Sequence, residues 1–195
     1  MKKLICILFI AFSSVTLFAQ EDYLWSLGLH HPLSIGDNFV KDAYNGIVGV
    51  DIRRTVYASD KVIIRVGGVV DYYDYDFVEA FDGRALFYKP RVLTELRISD
   101  YFKPFVNLGY GIMAIKVNGI VTSFEDPIDP IFSEEATTIK ETFSGFNAGF
   151  GVICGVSEKF YITAALDFLF LNVENSIDKS RNRAQTINLG AGVNF

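Results

Sequence analysis

Thr186-Ile187-Asn188-Leu189-Gly190-Ala191-Gly192-Val193-Asn194-Phe195, the last ten residues of the chain, alternate without a break. Ile187, Leu189, Ala191, Val193 and Phe195 form one set, and Thr186, Asn188, Gly190, Gly192 and Asn194 the other. Successive side chains of a strand point to opposite faces, so this period of two makes one apolar face and one small or polar face. Two glycines inside the run disfavour a helix. A strand of about ten residues is also what a tilted crossing of a bilayer requires.

The same grammar recurs upstream. Asn147, Gly149 and Gly151 alternate with Phe146, Ala148, Phe150 and Val152, and Asn107, Gly109 and Gly111 alternate with Val106, Leu108, Tyr110 and Ile112. Between Phe160 and Leu171 the even positions Ile162, Ala164, Leu166, Phe168 and Phe170 are all apolar. Eight such segments are expected: Tyr23–Leu33, Gly46–Val56, Val62–Tyr73, Leu86–Ile98, Phe105–Val117, Phe143–Val156, Phe160–Val173 and Thr186–Phe195. Their connectors alternate in length. Ala58–Lys61, Ser99–Pro104 and Ser157–Lys159 are short, whereas Ser34–Asn45, Asp74–Ala85, Asn118–Thr142 and Glu174–Gln185 are long. An even strand number with tight turns at one end and long loops at the other is the asymmetry of bacterial outer-membrane barrels.

The polarity of the two faces separates a membrane barrel from a soluble ligand-binding one. The non-aliphatic face carries Ser26, Asp51, Arg53, Arg65, Asp71, Lys89, Arg91, Glu95, Arg97, Asn107, Asn147, Asp167 and Asn188, interleaved with glycine. A lumen of about eight strands is just wide enough for side chains to fill it, and charges of both signs suit that space. The continuous apolar face must then meet lipid. Tyr57, Tyr101, Phe102, Phe105, Phe160 and Phe195 are expected at the periplasmic rim, and Tyr72, Tyr73 and Tyr88 at the other, as interfacial girdles. Arg54 falls on the lipid face at a strand end, where its head can snorkel to water.

The chain has 195 residues, 50% of them hydrophobic, with 18 Phe, 10 Tyr and 16 Gly, which bounds it to one aromatic-rich domain. Its one continuous apolar run is N-terminal: Lys2 and Lys3 precede Leu4–Phe12, a secretory signal peptide. Cleavage is expected after Ala19 or Gln20, which divides the chain into a signal at 1–19 and a barrel domain at 20–195. Cys6 lies inside the apolar run, so a lipoprotein is disfavoured, and Cys154 is left without a partner for a disulfide. Losing Lys2 and Lys3 from 18 basic residues against 23 acidic moves the formal charge from −5 to −7. An acidic chain does not favour nucleic acid or an anionic lipid as its partner.

The export signal, the alternating strands and the ending Ile187 to Phe195 together resemble the small outer-membrane β-barrel superfamily, which includes the OmpA/OmpX-type barrels and the PorT-like barrels of Bacteroidetes. The segment Lys103-Pro104-Phe105-Val106-Asn107-Leu108-Gly109-Tyr110-Gly111 is similar to the aromatic-and-glycine mid-barrel strand of those families. The resemblance implies a Gram-negative cell, and it implies that Phe195 is a membrane-insertion signal read by the outer-membrane insertion machinery.

His30 and His31, the only histidines, fall on opposite faces and cannot easily share a metal, so His30 is expected to hydrogen-bond in the lumen and His31 at the interface. His30 with Ser34 or Asp71 could make a hydrolytic pair, but the His-x-Ser pattern resembling lipid A deacylases is absent, because Pro32 holds the Ser position. The charges Asp51, Arg53, Arg65, Asp71, Lys89, Arg91, Glu95, Arg97 and Asp167 are nearly balanced, which favours a salt-bridge network filling the lumen over a gated ion path. The segment Asn118–Thr142 is acidic through Glu125, Asp126, Asp129, Glu134, Glu135 and Glu141 against Lys140. With Asp71-Tyr72-Tyr73-Asp74-Tyr75-Asp76-Phe77 it offers an acidic, tyrosine-rich rim for a protein or glycan.

The expectation is therefore an all-β, single-domain, eight-stranded antiparallel up-and-down transmembrane barrel in the cell outer membrane. It is a monomer without catalytic residues, cofactor or metal, surrounded by outer-membrane lipid and lipopolysaccharide, and it works through acidic extracellular loops. A narrow pore and a lipid-modifying enzyme are the alternatives.

Overall fold

The computed structural model describes residues 23–75, 82–124, 132–172 and 183–195. The expected signal peptide and the loop residues Glu125, Asp126, Asp129, Asp76 and Phe77 lie outside them. Eight antiparallel strands close into a barrel in chain order, with β8 returning to pair with β1. They are β1 (Trp25–Ile35), β2 (Tyr44–Ala58), β3 (Val62–Tyr75), β4 (Asp82–Leu96), β5 (Phe102–Phe124), β6 (Phe132–Gly155), β7 (Phe160–Leu171) and β8 (Arg183–Asn194). Closure matters physically, because a strand edge left open in hydrocarbon would strand unpaired N–H and C=O groups at several kcal/mol each.

Alternation sorts the side chains as the sequence suggests over most of the wall. Leu29, Ile52, Val92, Val106, Leu108, Phe150, Ile162 and Leu189 all stand exposed on the outside. In water such a belt would be a gross aggregation surface. It is the lipid-facing wall of a transmembrane barrel. Tyr57, Tyr101, Phe102, Phe160 and Phe195 are exposed at the turn end, as a girdle requires. Arg54 lies over the ring of Trp25, 5.6 Å from its centroid.

Three expectations need correction. Asn118–Thr142 is not chiefly a loop: β5 and β6 continue in register to Phe124↔Phe132, forming a two-stranded ribbon that stands above the wall. No proline interrupts residues 118–124 or 132–142, so the ladder runs on once started. Second, Ser34–Asn45 is not all loop but contains a helical turn, α1 (Phe39–Ala43). Gly36, at φ 81°, turns the chain after β1. Asn38 then caps the turn, its Oδ1 accepting from Val40 N (3.2 Å) and Lys41 N (3.1 Å) while Nδ2 donates to Ile35 O (2.7 Å). Third, Phe105 and Tyr73 are not girdle residues, because both point inward and are buried.

The inward apolar side chains form two clusters. Val40 of α1 packs at the loop end with Tyr44, Tyr73, Ala85, Phe87, Met113, Leu169, Leu171 and Ala184. Leu93, Phe105, Ile153 and Tyr161 make a smaller one at the turn end. The lumen is thus apolar at the loop end, whereas the smaller cluster lies beside charged side chains, with Leu93 opposite Arg65 and Phe105 opposite Glu95.

Candidate functional site

The charged layer draws on the strands at positions far apart in sequence. Asp51 and Arg53 come from β2, Arg65 and Asp71 from β3, Lys89, Arg91 and Glu95 from β4, and Asp167 from β7; all eight are buried. Inward-facing residues two apart on a strand lie on one face, so the i, i+2 pairs Asp51/Arg53 and Lys89/Arg91 project into the same space.

Their contacts form a chain of alternating sign. Arg65 Nε lies 2.7 Å from Glu95 Oε1, and Arg53 Nη1 is 3.9 Å from the same oxygen. Arg53 Nε is 3.0 Å from Asp51 Oδ2, which also accepts from Arg91 Nη2 at 2.9 Å. Arg91 Nη1 then reaches Asp167 Oδ2 at 3.5 Å, and Lys89 Nζ bridges that oxygen (3.3 Å) to Asp71 Oδ2 (2.7 Å). His30 Nε2 ends the chain on Asp71 Oδ1 at 2.8 Å. Four carboxylates face four cations, so these eight side chains sum to zero. Charges this deep are tolerable only when paired, and each of the eight has a partner of opposite sign.

Neutral groups complete the shell. Asn107 Nδ2 (3.0 Å) and Asn188 Nδ2 (2.8 Å) donate to Asp167, Arg65 Nη1 donates to Ser26 Oγ (2.7 Å), and Ser26 Oγ donates to Asn194 Oδ1 (2.7 Å). Arg53 Nη2 donates to Tyr161 OH at 3.0 Å, with its guanidinium 5.3 Å from that ring's centroid. Room for the layer comes from glycine. A Cβ at Gly49 would collide with His30 Nε2 and Asp71 Oδ1, and one at Gly149 with Asp167 Oδ1 and Asn107 Nδ2. Two cavities in this region measure about 20 Å³, beside Asp51, Arg91 and Asp167, and about 10 Å³, beside Lys89, Asn147 and Asp167. Each has space for about one water.

Arg97 follows the last residue of β4, half-buried at the turn end, and its backbone N–H donates to Lys61 O at 2.8 Å. His31 points outward and donates from Nδ1 to Ile47 O at 2.9 Å. Of the hydrolytic arrangements, Asp71 does meet His30, but among the described residues no hydroxyl bonds either of them. No group of three or more His, Cys, Asp or Glu converges to hold a metal among the described residues. The tyrosine-rich rim is thinner than its sequence suggests, since Tyr73 packs inward and Tyr75 stacks edge-on against Tyr44 at 5.4 Å. Phe195, the candidate insertion signal, is exposed and exchanges backbone hydrogen bonds with Trp25, closing the barrel seam.

No family model matches this sequence, and no curated relative does. Its fold does have counterparts among solved structures. Ail, the attachment invasion locus protein of Yersinia pestis, superposes with a TM-score of 0.56 at 19% identity, over 88% of this chain and 96% of that one. The same protein bound to the heparin analogue sucrose octasulfate gives 0.57 at 16% identity, with the same coverage. Neisserial surface protein A gives 0.52 at 14%, over 88% and 96% of the two chains. At these identities the likeness is one of fold. The chain folds as a small outer-membrane barrel, and its exposed aliphatic wall is where it meets that membrane.

Proposed function

We propose that this protein is a closed, non-enzymatic outer-membrane barrel that acts through its extracellular surface. One observation carries the reading: the unbroken chain of ion pairs from Arg65 to His30, closed off at the loop end by the larger inward apolar cluster and flanked near Arg65 by the smaller one. A hydrated ion would have to displace paired charges and then cross a dry layer, whereas the cavities beside the chain have room for single waters. The lumen therefore acts as a plug that fixes register, and the surface offered to other molecules is the β5–β6 ribbon and the rim beside it. Ail, the attachment invasion locus protein, supports an interaction role by analogy of fold. A protein or glycan partner at the loops belongs to this proposal.

Residues 1–19 act in it as a cleaved export signal, Phe195 as the mark read by the insertion machinery, and the barrel as a monomer. Membership among the PorT-like barrels of Bacteroidetes rests on the Lys103–Gly111 strand. The experiment is single-channel recording on the refolded barrel in planar bilayers. A silent bilayer is the expected result; steady ion conductance would replace the plug with the pore.

A further inference from the structure

The whole-chain charge is negative, yet the outer face at the loop end carries an ordered row of cations. Arg84 of β4 stands directly opposite Lys116 of β5, and Lys116 directly opposite Lys140 of β6. All three point outward, since their strand neighbours Ala85 and Met113 point into the lumen and the parity continues. Directly opposed residues have Cβ atoms about 5 Å apart, and like charges so placed repel. Among the described residues none of the three forms an ion pair. Asp74 stands opposite Arg84 across the β3–β4 ladder, and Asp82 lies one outward step along β4, yet neither comes within ion-pair distance of the row.

Depth and shape add two independent observations. Leu86 of β4 and Ala114 of β5 are the last apolar residues of the outward face before the row, and below them Tyr110 OH donates to Ser144 Oγ at 2.7 Å. Arg84 lies two residues beyond Leu86, about 7 Å along the strand at ~3.3 Å per residue. With a strand tilt of about 40° that is about 5 Å of height, which places the row at the headgroup level of the outer leaflet. There, Tyr72, Asp82, Gly83, Arg84, Lys116 and Asn118 line an outward groove of about 300 Å³. A groove lined by an arginine fork, an ammonium, a phenol and an amide against the single carboxylate of Asp82 suits a tetrahedral anion.

We propose that Arg84, Lys116 and Lys140 form a binding site for a phosphate group of an outer-leaflet glycolipid, with Tyr72 and Asn118 as neutral donors in the groove. An anion between the three cations removes their mutual repulsion, and the lipid holding it brings its acyl chains against the wall below. The site rests on the barrel sitting in the outer membrane, and it is independent of whether the lumen conducts.

The test uses the refolded barrel in mixed micelles, titrated with bisphosphorylated lipid A and, separately, with the same glycolipid after removal of its phosphates. The variant R84Q/K116Q/K140Q changes only outward side chains, and retention of its boiling-dependent gel shift shows that it folds. R183Q, another exposed cation of the loop end, is the control. A cation near an anionic surface contributes roughly fivefold in affinity, so the triple variant is expected to lose on the order of a hundredfold for the phosphorylated lipid. R183Q and the dephosphorylated lipid should show no such dependence. Equal binding by the triple variant, equal loss in R183Q, equal affinity for the dephosphorylated lipid, or displacement by millimolar inorganic phosphate would each overturn the site.

Discussion

Pro32 sits inside the barrel wall although it has no N–H to give a neighbouring strand. Thr55 N donates to Leu24 O, so the even-numbered residues of β1 turn their backbone groups toward β2. Continuing the β1–β2 register past His30↔Gly49 sets Pro32 opposite Ile47. The carbonyl that a backbone N–H would have satisfied is the one that takes the imidazole N–H of His31 at 2.9 Å. The histidine side chain thus repairs a ladder rung that the proline removes. On this account His31→Ala costs about 1–3 kcal/mol in urea unfolding from lipid vesicles, the penalty of an orphaned carbonyl. In a Pro32→Ala background, where the backbone can donate again, that cost should vanish; an equal cost in both backgrounds would refute the repair. Asp167 is the most connected carboxylate, meeting Lys89, Arg91, Asn107 and Asn188. Asp167→Ala leaves two buried cations short of charge, and a loss of about 3–5 kcal/mol is expected in the same unfolding measurement. A loss under 1 kcal/mol would mean that the layer is well watered.

The strands differ in what they need from their neighbours. Up to Asn118, β5 is paired on both sides; beyond it, among the described residues, it pairs with β6 alone. That extension contributes nothing to closure. Replacing residues 120–136 by a two-residue Asn-Gly hairpin turn should therefore leave a barrel that still shifts on a gel when boiled, and loss of the shift would show that the ribbon takes part in folding the wall. α1 is the opposite case. Five residues make no stable helix in water, but the turn is held by the Asn38 cap and by Val40, which is wholly buried in the upper cluster. Its place is inside the mouth of the barrel. The helical turn escapes a sequence reading because five residues are too few to display a 3.6-residue period.

At the scale of the molecule, the lumen presents two barriers in series, the ion-pair chain and the upper apolar cluster. Arg53→Ala/Arg91→Ala alone should leave planar bilayers silent, because Tyr73, Phe87 and Leu169 still close the dry layer. Adding Tyr73→Ala and Leu169→Ala should produce openings, and Asp51, left without either of its arginines, should make them cation-selective. Full conductance from the arginine pair alone would show that the charges are the only barrier. Each variant is first checked for its boiling-dependent shift, so that a silent record is read from a folded barrel.

Strand number, chain-order topology, the lipid-facing wall and the inward parity of Asp51, Arg53, Arg65, Asp71, Lys89, Arg91, Glu95 and Asp167 were legible in the sequence, because period two is a local property of each strand. Both apolar clusters were not. Tyr73, Phe87, Met113 and Leu169 have apolar outward neighbours such as Tyr72, Tyr88, Ile112 and Phe170, so alternation shows no contrast there and the face is decided by register. The pairing of the charges was equally out of reach. Lys89 meets Asp167 from 78 residues away, and Arg84, Lys116 and Lys140 become one row only through two ladders. The sequence by itself determined the alternation and hence the two faces of the wall. Closure of the barrel, which sets every strand's register against its neighbours, decided which charges meet, where the lumen is dry, and which cations stand together above the lipid.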